Sequence, residues 1–378
     1  MGSADRPRMM KTLGLMSGTS MDGIDLALVE TDGEDRVVPS LKTGQAMAIP
    51  YESAFAKRIA AALEDAKLIG QRHERPNKLA EIEEQITRRH ADAVKQLICR
   101  NNRGIDVIGF HGQTVLHRPE IGLTVQLGDG QLLADLTGIP VIYDMRAADM
   151  RAGGQGAPLV PVYHQVLANM VEERPVAYVN IGGISNITYI GKNGELLAFD
   201  TGPGNALIDQ WVQSEAGVPY DAGGGIAREG VVARTVVDRY LANDFFKKSG
   251  PKSLDRNDFQ PLEGGSLELS DGARTLTRVT AEAIVAATDH LPSPPKHWIL
   301  CGGGRLNKTL HEDMRELADK TAGKVSCCEA FGLDGDMMEA EAFGYLAVRS
   351  LKSLPLTFPD TTGCRRPVTG GVLAKPGV

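Results

Sequence analysis

The chain has 378 residues, 42% hydrophobic and 24% charged, as in an ordinary globular protein rather than a disordered or fibrous one; its length predicts two domains. A formal charge of −7 argues against a nucleic-acid-binding surface. No apolar run approaches the roughly 18–20 residues of a membrane span, and no continuous apolar signal segment follows residues 1–8, so a cytoplasmic location is expected.

In chain order, the first informative stretch is residues 13–25. An apolar run with Leu13 and Leu15 enters a turn containing Gly18, Thr19, Ser20 and Gly23, and a second apolar run from Ile24 to Val29 leaves it. Glycines let backbone N–H groups approach an anion, and the two hydroxyls add donors. Asp22 and Asp25 beside those donors fit a metal-bound phosphate better than a bare anion. The lysine of a Walker P-loop is missing. Taken alone, the turn also reads as an ordinary Gly/Ser hairpin.

Residues 79–99 carry Leu79, Ile82, Ile86, Val94 and Leu97 at helical spacing, which predicts an amphipathic helix. Residues 105–110 predict a short buried strand that ends at His111-Gly112, where substrate loops of α/β sheets lie. A helix is expected over 130–137 and a strand over 139–143, with a domain change near 128–138. Strands alternating with helices give an α/β architecture. Residues 176–190 repeat the strand–turn–strand plan around Gly182, Gly183, Ser185 and Asn186. The apolar run 196–199 leads to Asp200, whose carboxylate is expected to project beyond the sheet edge. A helix starting after Asn205 would place free N–H groups nearby. Further helices are expected over 270–290, 307–322 with Asn307 as N-cap, and 337–351. A third glycine turn, residues 301–304, follows the apolar stretch 297–300. The Pro/Gly/Thr-rich tail from 355 is expected to pack back as irregular structure.

The cysteines, Cys99, Cys301, Cys327, Cys328 and Cys364, are odd in number and form no Cys-x-x-Cys pair, the pattern of a reduced intracellular enzyme. The histidines lack the grouping a zinc site requires. Asp200 is the candidate general base: a carboxylate beside an anion-binding helix start suits phosphoryl transfer. A plain N-cap is the alternative. For His111, Gln155 and Glu339, ordinary structural or solvated roles stand beside functional ones.

Six motifs occur in order. They are Gly-Thr-Ser-Met-Asp-Gly-Ile-Asp (18–25), His-Gly-Gln-Thr (111–114), Gly-Gly-Gln-Gly-Ala-Pro-Leu (153–159), Asn-Ile-Gly-Gly-Ile-Ser-Asn (180–186), Asp-Thr-Gly-Pro-Gly-Asn (200–205) and Cys-Gly-Gly-Gly (301–304). Together they resemble the anhydro-N-acetylmuramic acid kinases of bacterial peptidoglycan recycling, within the actin/hexokinase/Hsp70-like ATPase superfamily. The resemblance covers nearly the whole chain. It implies two actin-like (ribonuclease H-like) α/β domains, 9–130 with part of the tail (about 355–370) and 131–354, flanking an interdomain active-site cleft. It further implies ATP and Mg2+, a sugar substrate and a homodimer. ATP is expected around Gly18, Thr19, Ser20, Met21, Asp22, Gly23, Ile24, Asp25, Asn180, Gly182, Gly183, Asn186, Gly204, Gly302, Gly303 and Asn307, with Mg2+ on Asp22. Substrate is expected around His111, Gln113, Arg146, Gln155 and Glu339. A guanidinium fork suits the lactyl carboxylate of muramic acid, and Arg146 is placed there; Ala147 and Ala148 stand where the family commonly has further arginines. Water activated by Asp200 would open the anhydro bridge, and the freed O6 would take the phosphoryl group. A kinase of another 1,6-anhydro sugar such as levoglucosan is the first alternative, and an Hsp70- or actin-like regulatory ATPase the second.

Overall fold

The computed structural model of the chain describes residues 8–34, 41–101, 104–254 and 258–377; residues 1–7, most of the stretch read for a signal segment, lie outside them. Two units form. One runs to Asn169 and resumes at Met337; the other is Met170–Asp336.

The strands of the first unit begin with β1 (Met10–Ser17), β2 (Gly23–Thr31), β3 (Leu41–Pro50), β4 (Val107–Arg118), β5 (Leu123–Leu127) and β6 (Val141–Tyr143). The second unit holds β7 (Val176–Ile181), β8 (Ile184–Ile190), β9 (Leu196–Pro203), β10 (His297–Cys301) and β11 (Lys324–Cys327). The tail returns to the first unit as β12 (Val372–Ala374). The sheet orders are β12-β6-β4-β1-β2-β3, with β5 on β4, and β11-β10-β7-β8-β9. In each unit three consecutive strands pair antiparallel, and a fourth joins the first in parallel, followed by a fifth. This shared order is that of actin-like (ribonuclease H-like) α/β domains.

Local sequence explains the layers. In the first unit Leu13, Leu15, Ile24 and Leu26 are buried against Phe55 and Ile59 of the helix Ser53–Ala66, and against Ile82, Ile86 and Val94 of the helix Leu79–Asn101. Full burial of one such side chain is worth about 1.5–3 kcal/mol. The other face of β1 and β4 takes the helix Met338–Leu351 at backbone contact: a Cβ on Gly14 would lie 1.7 Å from the Ala340 carbonyl oxygen. In the second unit Val179, Ile181, Ile187, Phe199, Trp298 and Leu300 form a core with Leu310 and Met314 of the helix Lys308–Asp319.

Four expectations change. The division of the chain does not follow 9–130 and 131–354. Residues 131–169 stay in the first unit because β6 extends its sheet beside β4, and the helix Met338–Leu351 joins them through the glycine contact. The strand foreseen to end at His111 runs on to Arg118. Gly112, at φ +75°, lies where the register with β1 shifts, and from Gln113, the last residue paired with β1, β4 runs on beside β5. Asp200 lies inside β9 rather than past its end. The tail is not irregular throughout, since Leu373 pairs with Ile142. The helices expected over 79–99, 130–137, 307–322 and 337–351 are present as Leu79–Asn101, Gly130–Thr137, Lys308–Asp319 and Met338–Leu351.

Candidate functional site

In the first unit, the turn between β1 and β2 closes with the Met21 N–H on the Gly18 carbonyl at 3.1 Å, with Met21 at φ +56°. Thr19, Ser20 and Asp22 face outward; the Ser20 hydroxyl donates to the Asp22 carboxylate at 2.8 Å. The turn is held from below. Gln113, fully buried, donates through Nε2 to the Gly18 carbonyl at 2.9 Å and accepts from the Ser17 hydroxyl at 2.7 Å. The Tyr51 hydroxyl lies 3.1 Å from Ser17, and burial raises its pKa to about 12. Gly23 is glycine because β3 is close: a Cβ there would lie 2.6 Å from the Ile49 carbonyl oxygen. Ile24 belongs to the core, so only its backbone can face a ligand, and Asp25 is half-buried opposite Met16. Gln113 thus positions the turn.

Further along β4, His111 Nε2 accepts from Arg146 Nε at 3.2 Å and Nη2 at 2.9 Å, while Arg146 Nη1 donates to the Gly156 carbonyl at 2.7 Å. A nitrogen that accepts from a guanidinium carries a lone pair, which puts the imidazole proton on Nδ1. Burial, reinforced by Arg146, holds the His111 pKa well below its ordinary value, so the ring is neutral. Burial lowers the Arg146 pKa to about 10 against the opposing pull of Glu339. Burial raises the Glu339 pKa, with Arg146 pulling it down. Asp149, 1% exposed, accepts from Gly156 N–H at 2.7 Å and from the Thr357 and Thr362 hydroxyls at 2.6 and 2.7 Å. The Gln155 N–H donates to the Thr362 carbonyl at 2.8 Å. The structure therefore joins His111, Arg146 and the 153–156 loop into one bonded cluster, within the electrostatic reach of Glu339.

In the second unit a row crosses the sheet: Asn180 on β7 pairs with Asn186 on β8, and Asn186 with Asp200 on β9. Directly opposed residues share a face. Asp200 N–H donates to the Lys252 carbonyl at 2.9 Å, and its Oδ2 accepts from Leu254 N–H at 2.8 Å. Burial lifts the Asp200 pKa to about 7, opposed by that N–H and by the Lys252 charge. Of the free amides expected at the helix start after Asn205, that of Ala206 is taken up, as are those of Gly204 and Asn205 before it. The amides of Gly204, Asn205 and Ala206 donate to the carbonyls of Gly183, Gly182 and Gly183 at 2.9, 2.7 and 3.2 Å, fastening the β7–β8 turn to the helix Ala206–Ala216. Gly204 is glycine by necessity, because its Cβ would lie 2.3 Å from the Gly182 carbonyl oxygen.

In the third turn, Gly302 at φ +69° packs on Asn180, with a Cβ falling 2.2 Å from its Oδ1, whereas Gly303 faces space, its nearest neighbour 3.9 Å away. Asn307 caps the next helix as expected, accepting from Leu310 N–H at 2.9 Å. Arg305, with its guanidinium on Glu329 at 2.6 Å and Asp336 at 2.8 Å, braces this turn.

Sequence reasoning missed Ser17, Tyr51, Lys252, Leu254, Thr357 and Thr362. Ser17 offered a signal: a lone hydroxyl closing an apolar run next to a glycine turn. The others act across long separations and leave none. Among the described residues no three His, Cys, Asp or Glu side chains group as a metal cage. A single outward carboxylate, Asp22, fits an ion held mainly by phosphates and water, as Mg2+ is.

Duplicated ribonuclease H-like units with glycine turns define a protein of the actin-like ATPase and sugar-kinase class. A family model described as anhydro-N-acetylmuramic acid kinase matches residues 10–376. The chain belongs to that family. It is 53% identical over 369 residues to the anhydro-N-acetylmuramic acid kinase of Rhizobium etli, covering 96% of this chain and 98% of that one. Against the enzyme of the same name from Brucella canis it is 50% identical over 376 residues, covering 98% and 100%. Among solved structures, the activator of the 2-hydroxyisocaproyl-CoA dehydratase from Clostridium difficile aligns over 91% of this chain and 96% of that one, with a TM-score of 0.43 and 11% identity. A likeness that distant carries no functional weight.

Proposed function

We propose that this protein uses ATP to convert 1,6-anhydro-N-acetylmuramic acid into N-acetylmuramic acid 6-phosphate in peptidoglycan recycling. The observation that carries the reading is Asp200, a carboxylate with its pKa lifted to about 7 and fixed on the Leu254 amide. A base of that strength accepts a proton from water at neutral pH without being saturated by it. Water attacks the anomeric carbon as Asp200 takes its proton, the bond from that carbon to O6 breaks, and O6 accepts the γ-phosphoryl group as ADP leaves. The proton on Asp200 then returns to solvent. The turns at 18–22, 182–183 and 302–304 are assigned to ATP. Asp22 is assigned to Mg2+, which neutralises phosphate charge when bound. Arg146, oriented by His111 and the Gly156 carbonyl, is assigned with Gln155 and Glu339 to the sugar. Relatives named for the muramic sugar favour this substrate over levoglucosan, and over a regulatory ATPase.

A homodimer and a cytoplasmic location belong to the same reading. The resemblance supports the first and five free cysteines the second; light scattering at micromolar concentration tests the dimer. The chemistry is tested by running the reaction in ¹⁸O-labelled water over a time course short enough to subtract exchange at the anomeric centre. Label at the anomeric hydroxyl, with none in transferred phosphate, is expected. Label in free phosphate, or none beyond exchange in the sugar, overturns the proposal.

A further inference from the structure

We propose that the first unit carries a second ligand site, for a sugar phosphate or a comparable small phosphate monoester, in the cavity between the helix Ala147–Arg151 and the C-terminal tail. The cavity measures about 810 Å3, and its lining includes Arg151, Arg365 and Arg366 but no acidic residue. These three are exposed at the cavity wall, whereas several more buried arginines of this acidic chain pair with carboxylates: Arg72 with Asp144, Arg75 with Glu83, Arg274 with Asp313 and Arg305 with Asp336. Among the described residues, Arg151, Arg365 and Arg366 have no carboxylate within ion-pair distance. Like charges gathered at one cavity repel, and a doubly charged phosphate relieves the repulsion. Guanidinium forks also match phosphate oxygens two at a time.

The walls are built rather than loose. Arg365 donates to the Ala152 carbonyl through both its backbone N–H at 3.1 Å and its Nε at 3.2 Å. Asp149 anchors the tail to the same short helix through the Thr357 and Thr362 hydroxyls. Ala148 and Ala152 contribute small side chains to the lining, and the volume exceeds a bare phosphate several-fold, which points to an attached sugar-sized body. The residue before this helix is Arg146, so a ligand here presses on the segment that also bonds His111 and the 153–156 loop. Occupancy is thereby linked to the cluster assigned to the sugar substrate, yet the site shares no residue with it, and its existence does not depend on the reaction proposed above.

The test is calorimetric titration of the full chain, saturated with ADP and Mg2+ to fill the nucleotide site, with glucose 6-phosphate, inorganic phosphate and glucose. One equivalent of glucose 6-phosphate is expected to bind, with inorganic phosphate competing more weakly and glucose not binding. Arg365→Gln/Arg366→Gln, and separately Arg151→Gln should the double variant fail to fold, are expected to weaken binding at least tenfold. Turnover at saturating substrates should stay unchanged in these variants. Absence of saturable binding, equal affinity in folded variants, binding of inorganic phosphate alone, or glucose binding as well as its phosphate would each overturn the site. Co-sedimentation with phosphatidylglycerol vesicles that glucose 6-phosphate does not displace would overturn its assignment to a free metabolite.

Discussion

The two sheets share one strand order but spend the same lattice positions on different chemistry. In the second unit the row across the first three strands reads Asn180, Asn186, Asp200; in the first it reads Met16, Asp25, Ala48. The third-strand position is a shielded carboxylate in one unit and an exposed alanine in the other. The turns differ as well. The first is propped by side chains, Gln113 and Ser17 beneath Gly18, whereas the second is tied by backbone amides of residues 204–206. Duplication of topology therefore supplies two glycine turns but one buried carboxylate in this row, bonded to the Leu254 amide.

Asp200→Asn tests the asymmetry most severely. Activity is expected to fall by about 10²–10⁴-fold, the usual worth of a general base, while ATP binding by calorimetry is retained; near-normal turnover would remove Asp200 from the mechanism. The pH dependence adds a sign. Because the folded pKa is raised to about 7, wild-type activity should rise as pH passes through 7. The same shift means that folding favours the protonated carboxyl. Its contribution to stability is complete below the ordinary aspartate pKa and is lost as pH climbs to about 7. The Asn variant, lacking that loss, should gain melting temperature relative to wild type across this window, and a constant difference would contradict the shielding.

Breaking the backbone tie comes next. Gly204→Val drives a side chain into the Gly182 carbonyl and is expected to weaken ATP binding at least tenfold, with about 1–3 kcal/mol of destabilisation from overpacking. Gly225→Ala, outside that turn, is the control, because its Cβ meets nothing within 4 Å; equal losses in both would show that the tie does not shape the nucleotide turn. In the first unit, Gln113→Leu removes both props at once. It leaves the Ser17 hydroxyl without its 2.7 Å acceptor and should cost about 1–3 kcal/mol by denaturant melts, with a KM for ATP raised severalfold. An unchanged KM in a folded variant would separate that turn from ATP. The smallest effect belongs to Ala48→Asp: on an exposed strand position it should alter stability by less than about 0.5 kcal/mol. It should also fail to restore activity to Asp200→Asn, and rescue would erase the distinction between the units.

Periodicity and turn chemistry carried much of the fold. The helix Leu79–Asn101, the Asn307 cap and the strand–glycine–strand plan of both units were all legible, because each depends on neighbours within a few residues. The site was legible as motifs: His111, Arg146 and Gln155 were singled out, but not that His111 accepts from Arg146 or that the Gln155 amide is held by Thr362. Gln113 was assigned to substrate, and both ends of its amide turn out to serve the first turn. Of the free amides foreseen at the helix start beyond Asn205, that of Ala206 is taken up by the Gly183 carbonyl.

By itself the sequence determined the α/β class, the glycine turns, the identity of the candidate base and the family, because these reside in residue type and short spacing. Tertiary structure alone decided that residues 131–169 and the last long helix complete the first unit, that the tail supplies an edge strand, and that Asp200 titrates near neutrality. The physical reason is the same in each case. Sheet pairing between Ile108 and Val141, backbone contact between Gly14 and Ala340, and the closing of residues 252–254 over Asp200 join parts of the chain far apart in sequence. Desolvation, which sets the Asp200 pKa, exists only once those parts have met.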